Sequence, residues 1–263
     1  MKRILYILLL VFFFACTNKG KETIDSNTDT TTKLILTGDS GFITKDIGLE
    51  FLLSNSLTDT IPNSSAWYLF KQNDTIGKYY RMENNNYIMC LIDYGSQKEY
   101  WFETHIVMEI GAKGELVKSE RFFHGNYPCC WNNAYEGFSK YGNFFGIQIC
   151  GTGSGFCSSD LYLFKEITPQ DSISSIPFSC YVMIDDVIAT FHTFYTLSVE
   201  LKKDVLIINY ILKEGTEQSN KKKGNNTYKV QIIDEFEIRY FYENEQWHTK
   251  ENDKLEKLNS FCN

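Results

Sequence analysis

Histidine and proline are scarce in this sequence, four of each in 263 residues. His105, His124, His192 and His248 are dispersed, and no H-x-x-x-H pair sets two imidazoles on one helix face for a metal. No C-x-x-C occurs, which removes the usual thiol-redox motif. The loop Gly151-Thr-Gly-Ser-Gly155 has neither the G-x-G-x-x-G spacing of a dinucleotide loop nor a following G-K-[S/T]. It also lacks G-x-S-x-G, so Ser154 is no nucleophile elbow. Basic residues are outnumbered, 26 against 33 acidic, for a formal charge of −7. A phosphate backbone would be repelled, and nucleic acid is not an expected partner. Long apolar runs are missing too. Ile4–Phe14 is eleven residues, whereas a helix needs roughly 20 to cross a ~30 Å hydrocarbon layer.

That short run nevertheless sits where it carries information. Lys2 and Arg3 precede it, and Ala15 and Cys16 follow, the order of a secretion signal with a basic start, an apolar core and a small residue at the cut. A cysteine directly after the small residue resembles the lipobox of bacterial lipoproteins, over residues 1–16 only. Phe13 and Phe14 stand where that family usually has Leu and a small residue, while Ala15 fits. The resemblance implies that residues 1–15 are a lipoprotein signal peptide and that Cys16 is acylated, with palmitate-type chains, as the mature N-terminus. Such chains bury many CH₂ groups at ~0.8 kcal/mol each and would hold the protein on membrane lipid. The expected location is the outer membrane or cell envelope, facing the periplasm or the exterior. Of the 26 basic residues only Lys2 and Arg3 lie in 1–15, so the mature chain keeps 24 against 33 acidic ones, a formal charge of −9. Residues 16–33 then form a polar tether rich in Thr and Asn, with Ile24 its one large apolar residue.

Residues 34–263 read as a β-rich domain. In Tyr100–Ile110 the even positions are Tyr, Phe, Thr, Ile, Met and Ile, and the odd ones Trp101, Glu103, His105, Val107 and Glu109, which predicts a strand with one apolar and one mixed face. Gly111–Gly114 reads as a turn into a partner strand over Glu115–Phe123. Further strands are expected at Leu49–Leu53, Trp67–Lys71, Ile76–Met82, Tyr87–Tyr94, Asn143–Cys150, Ser158–Lys165, Val205–Leu212, Tyr228–Asp234 and Glu235–Tyr242, with a loop over Gly215–Asn226. Ile184–Tyr195 mixes helical spacing with β-branched residues and is read as strand. This many short strands predict an all-β fold of antiparallel, sandwich-like sheets, with a β-propeller as the alternative. Glu166–Pro177, polar with two prolines, is the candidate internal boundary.

Seven cysteines remain after Cys16. In an exported chain disulfides are the default, and an odd number leaves at least one thiol out of an intrachain pair. Cys90 shares a strand face with Ile88, Ile92 and Tyr94 and is expected to be a buried thiol. Cys129, Cys130, Cys150 and Cys157 are the disulfide candidates, and a bridge Cys150–Cys157 would tie the glycine-rich loop. Zinc at His124 with these cysteines is disfavoured by their spacing, and no cofactor is expected. The candidate binding residues are Trp101, Glu103 and His105, an aromatic ring beside hydrogen-bonding groups on one strand face, where a sugar ring could stack. The competing reading has a second sheet covering that face. Glu235 and Glu237 share a face as glycosidases require of their carboxyl pair, but Arg239 beside them reads as a salt-bridge row. The function expected is a membrane-anchored binding domain for a glycan or an envelope protein; the alternative is an envelope-glycan hydrolase using paired carboxylates.

Overall fold

The computed structural model describes residues 32–57, 74–93, 102–125, 137–153, 155–185, 190–220 and 225–262. Two antiparallel sheets account for most of them. The first has five strands in sequence order: β1 (Ser40–Thr44), β2 (Thr75–Arg81), β3 (Tyr87–Asp93), β4 (Phe102–Ile110) and β5 (Leu116–Gly125). The second runs through eight: β6 (Phe138–Tyr141), β7 (Phe144–Gly153), β8 (Phe156–Phe164), β9 (Ser175–Asp185), β10 (Thr190–Lys202), β11 (Val205–Asn220), β12 (Asn225–Glu243) and β13 (Gln246–Thr249). Within each sheet every strand pairs with its neighbours in sequence, so the sheets are meanders. The expected sandwich-like architecture is present, and the sheets are not the blades of a propeller.

The period-two pattern explains how the layers stack. On β3 and β4, Met89, Leu91, Ile106, Met108 and Ile110 face one core, which is closed by helix α1 (Lys45–Ser54) through Phe51 and Leu52. Ile88, Cys90 and Val107 face the other way, into a second core with Phe122 of β5, Phe145 and Ile147 of β7 and Phe164 of β8. Both faces of the middle strands are buried, which is why Tyr87–Ile92 reads as an uninterrupted apolar run. Leu49–Leu53, expected as strand, is instead part of α1. Its buried residues Gly48, Phe51 and Leu52 fall at helical spacing, and Gly48 lets the helix lie against Ile76.

The eight-stranded sheet curls over a third core, on the face that β7 and β8 turn away from the five-stranded sheet. Phe144, Leu161, Ile176, Phe194, Leu206, Ile208, Tyr210, Ile238, Tyr240 and Trp247 line it from one end of the sheet to the other. The ends meet without closing a barrel. Phe144 of β7 lies 4.8 Å, centroid to centroid, from both Tyr242 of β12 and Trp247 of β13. The Trp247 indole N–H donates to the carbonyl of Leu163 at 3.2 Å. Lys165 sits 4.7 and 4.8 Å over the Phe144 and Tyr242 rings, with Asp204 at 3.2 Å. Buried polar groups in the curl are satisfied: the Tyr210 hydroxyl donates to Pro177 O at 2.7 Å, and Gln148 donates to Ser159 at 2.8 Å. Burial pushes the Tyr240 phenol up to about 12.

Helix α2 (Asn252–Phe261) plugs the curl with Leu258, fully buried, and a disulfide joins Cys262 at its end to Cys180 of β9. The bridge spans 82 residues, a loop worth about 4–5 kcal/mol in the chain-entropy account. The strands expected at Tyr228–Asp234 and Glu235–Tyr242 are one nineteen-residue strand, β12, with a bulge opposite Leu212/Lys213. Much of the expected loop Gly215–Asn226 belongs to β11 and β12, because Phe191 lies over Gly215 and lets the ladder continue past it. Glu166–Pro177 joins β8 to β9, hydrogen-bonded neighbours in one sheet, and therefore does not separate two domains. Trp67–Lys71 lies outside the described residues.

Two predictions follow from this packing. Gly114, in the turn between β4 and β5, has φ +86°, and an added Cβ would lie 2.7 Å from the Leu34 carbonyl. Gly114→Ala should cost about 1–3 kcal/mol, read as a lower urea midpoint with unchanged slope. The second concerns acid. At Glu251 burial pushes the carboxyl up, but hydrogen bonds from Lys254 and the Arg239 N–H outweigh it and hold it below 4.5. Asp234, bonded to Lys257, is held below 3.8. Carboxyls lowered by folding stabilise above their unfolded values and lose that contribution as pH falls through the folded ones. Hydrogen exchange of α2 should therefore be unchanged between pH 7 and 5, after correction for intrinsic rates, and accelerate selectively below about 4.

Candidate functional site

The aromatic face expected on β4 is not a free surface at His105. That residue is 1% exposed, with Ile92 and Phe122 as its register partners. It follows the same alternation as Val107, on the face that meets the second sheet. Burial between sheets removes His105 from any stacking platform and corrects that assignment. Glu103 pairs in register with His124 of β5, while both side chains, and Trp101 entirely, lie outside what the structure describes.

The cysteines divide similarly. Cys150 and Cys157 are both disulfide-bonded, whereas Cys129, Cys130 and the lipidation candidate Cys16 lie outside the described residues. Cys150 faces Ser159 and Cys157 faces Thr152 across the β7–β8 ladder. Cys180–Cys262 was not among the expected candidates, and its 82-residue separation leaves no local signal. Cys90 is a free, fully buried thiol whose pKa is raised by burial. Alkylation of the folded protein should spare Cys90, and denaturation should make it reactive, which peptide mass mapping reads directly. Arg239 pairs with Glu237 at 2.7 Å, as the salt-bridge reading requires.

The chain does build a polar cleft, where sequence patterning pointed to a boundary. After β8 the chain runs through a single 3-10 turn, Gln170–Ser172, before β9. Ile167 and Ile173, 3% and 8% exposed, pin this connection into the core between the sheets. Its own polar groups stiffen it: Thr168 and Ser172 share a hydrogen bond of 2.7 Å, and the Ser172 hydroxyl lies 2.6 Å from Pro169 O. From the other end of the curl, the Gln246 amide donates to Ser172 O at 2.5 Å, and the Trp247 N–H donates to Ser174 Oγ at 3.0 Å.

Between this braced connection and β5 lies a cleft of about 570 Å³. Glu120 enters it from β5, where Arg121 borders it, Tyr162 from β8, Gln170 and Asp171 from the turn, and Ser175 from the start of β9, with Pro169 and Ile173 as apolar lining. The Arg121 guanidinium itself donates to the Leu57 carbonyl, on the face of β5 opposite Phe122. The Tyr162 phenol is pushed up by burial and by the nearby Asp160 carboxylate, against a hydrogen bond with Gln170 that lowers it. It stays protonated and can donate at neutral pH. Burial also raises Asp160. A second cleft of about 510 Å³ opens on the other side of the same connection, between Lys118, Lys165, Glu166, Tyr242 and Glu245. Among the described residues no group of three His, Cys, Asp or Glu side chains is gathered to hold a metal ion.

The first cleft sets donors (Tyr162, Gln170) and acceptors (Glu120, Asp171, Ser175) around one aromatic ring and two small apolar surfaces. Such a mixture suits a ligand that presents hydroxyls on one side and C–H groups on another. Its residues come from three separate segments, and only the polarity of Glu166–Pro177 could have drawn attention to it. No family model, curated protein or solved structure matches this chain.

Proposed function

We propose that this is an exported lipoprotein, anchored by acyl chains on Cys16, whose β domain binds an envelope glycan in the cleft between β5 and the β8–β9 connection. The observation that carries the reading is the composition of that cleft: a half-buried tyrosine beside convergent donors and acceptors, on a connection pinned at Ile167 and Ile173. A braced wall limits the ordering cost of binding, so modest polar contacts can produce measurable affinity. The order Lys2-Arg3, apolar run, Ala15-Cys16 supports the anchor. An envelope protein presenting a similar polar surface is the other occupant of the same reading.

A second reading is favoured by one observation. Glu120 and Asp171 reach the cleft from different elements, as an acid and a base for glycoside hydrolysis must. Titration of the purified protein with peptidoglycan and lipopolysaccharide oligosaccharides, by calorimetry and by product analysis, separates the two. For binding alone, Tyr162→Ala and Gln170→Ala each weaken affinity about tenfold, some 1.4 kcal/mol, and no product forms. For hydrolysis, Glu120→Gln or Asp171→Asn abolishes turnover while binding persists. A protein that binds no member of the panel, and whose captured envelope partners are unaffected by these variants, would sink both.

A further inference from the structure

β12 is the longest strand among the described residues and lies next to the end of its sheet, yet β13 pairs only with Tyr240–Glu243. From Asn225 to Arg239 the side of β12 turned away from β11 has no strand beside it among the described residues. A long strand edge of this kind is a template for pairing with another chain. Two devices cover part of it. The bulge opposite Leu212/Lys213 interrupts the ladder near Ile233. Helix α2 and the residue before it cover the next stretch with their side chains: Glu251 accepts the Arg239 N–H at 2.7 Å, Lys254 donates to the Glu237 carbonyl at 2.7 Å, and Lys257 bonds Asp234 at 2.5 Å. Two of these contacts go to backbone groups of β12. Beyond the reach of α2, Val230, Ile232 and Ile233 stand 46%, 57% and 43% exposed.

We infer that α2 is a removable cover, latched by Cys180–Cys262, over an edge through which a second copy of this chain pairs antiparallel to β12. Charge order along the strand identifies the occupant. With Ile232 near the centre of such a pair, Lys229 of each copy falls against the acidic stretch Asp234-Glu235 of the other, and the exposed isoleucines meet in the middle. In the latched state Lys257 already holds Asp234, and the Glu251 and Lys254 side chains occupy the Arg239 N–H and Glu237 carbonyl that a second strand would use. A dithiol opens the latch. Its thiolate attacks Sγ of Cys262, Cys180 leaves and takes up a proton, and the second thiol displaces Cys262. Two electrons enter the cysteine pair, and the reagent departs as its cyclic disulfide. This inference is independent of what the cleft binds.

The test is sedimentation velocity with hydrogen exchange on the exported full-length protein in detergent, oxidised, treated with dithiothreitol, and as Cys180→Ser/Cys262→Ser. The oxidised protein should be monomeric and protected over 234–239. Opening the latch should speed exchange there about tenfold, leave β3 and β4 protected, and produce a concentration-dependent dimer. Adding Ile232→Lys to the serine variant should restore the monomer while exchange stays fast. Protection over 234–239 that survives reduction overturns the latch, and a monomer with a freely exchanging edge overturns the pairing. Should the serine variant lose protection in β3 and β4 as well, brief reduction of the already folded, oxidised protein, with β3 and β4 still protected, decides: a dimer supports the inference and a monomer overturns it.

Discussion

Trp247 lies where an eight-stranded sheet folds back on itself, and the ring cluster it forms with Phe144 and Tyr242 is the constraint on which the curl depends. Antiparallel strands twist, and a sheet this wide must curl, split or flatten. Here it curls, because aromatic residues from β7, β12 and β13 bury one another at the seam while Lys165 caps the rings with its charge toward Asp204. Aromatic pairs of this geometry are worth about 0.5–1.5 kcal/mol each beyond their burial. The hydrogen bond from the indole to Leu163 O fixes the angle at which the ends meet. The seam in turn places Gln246 and Trp247 against Ser172 and Ser174, so the wall of the cleft is braced from the far end of the sheet. Site and scaffold therefore share a support.

Much of the fold was legible because alternation survives wherever a strand separates two environments. β4 shows it cleanly, with Ile106, Met108 and Ile110 against the helix-covered core and Val107 against the other. The same residues mislead about what lies outside. Alternation says that two faces differ, not that the mixed one is wet, and His105 is buried because a second sheet arrives from 30 residues and more along the chain. Leu49–Leu53 failed differently. Five apolar-rich residues fit strand and helix equally, and only the packing of Gly48 on Ile76 decides for helix. In β12 the cluster Asp234-Glu235 looks like a turn between two strands, but the bulge absorbs the irregularity and the strand continues.

The cleft was hidden for a related reason. Polar residues and prolines in Glu166–Pro177 signal a break in regular structure, and that much is correct. Whether such a break separates domains or carries a site depends on what it packs against. Ile167 and Ile173, two apolar residues in a polar stretch, are what hold it to the core. Arg121 and Glu120 belong to a strand whose pattern gives no sign that its middle borders a hollow. Pairings that reach across the chain, such as Cys180 with Cys262, leave no mark in local composition at all.

The contacts at the seam and the bridge also impose an order in time. Hairpins of the five-stranded sheet close over a few residues each, and their rings and methyls can meet while later segments are still being made. Phe144 must wait for Tyr242 and Trp247, about a hundred residues on, and Cys180 for the arrival of α2. A chain emerging from its N-terminus would thus hold a half-finished, open sheet with an apolar concave face through the last third of its synthesis. The final helix then acts as the keystone. Its docking fills the curl and brings Cys180 and Cys262 within reach, so that an external oxidant can take two electrons from the pair and close the bridge.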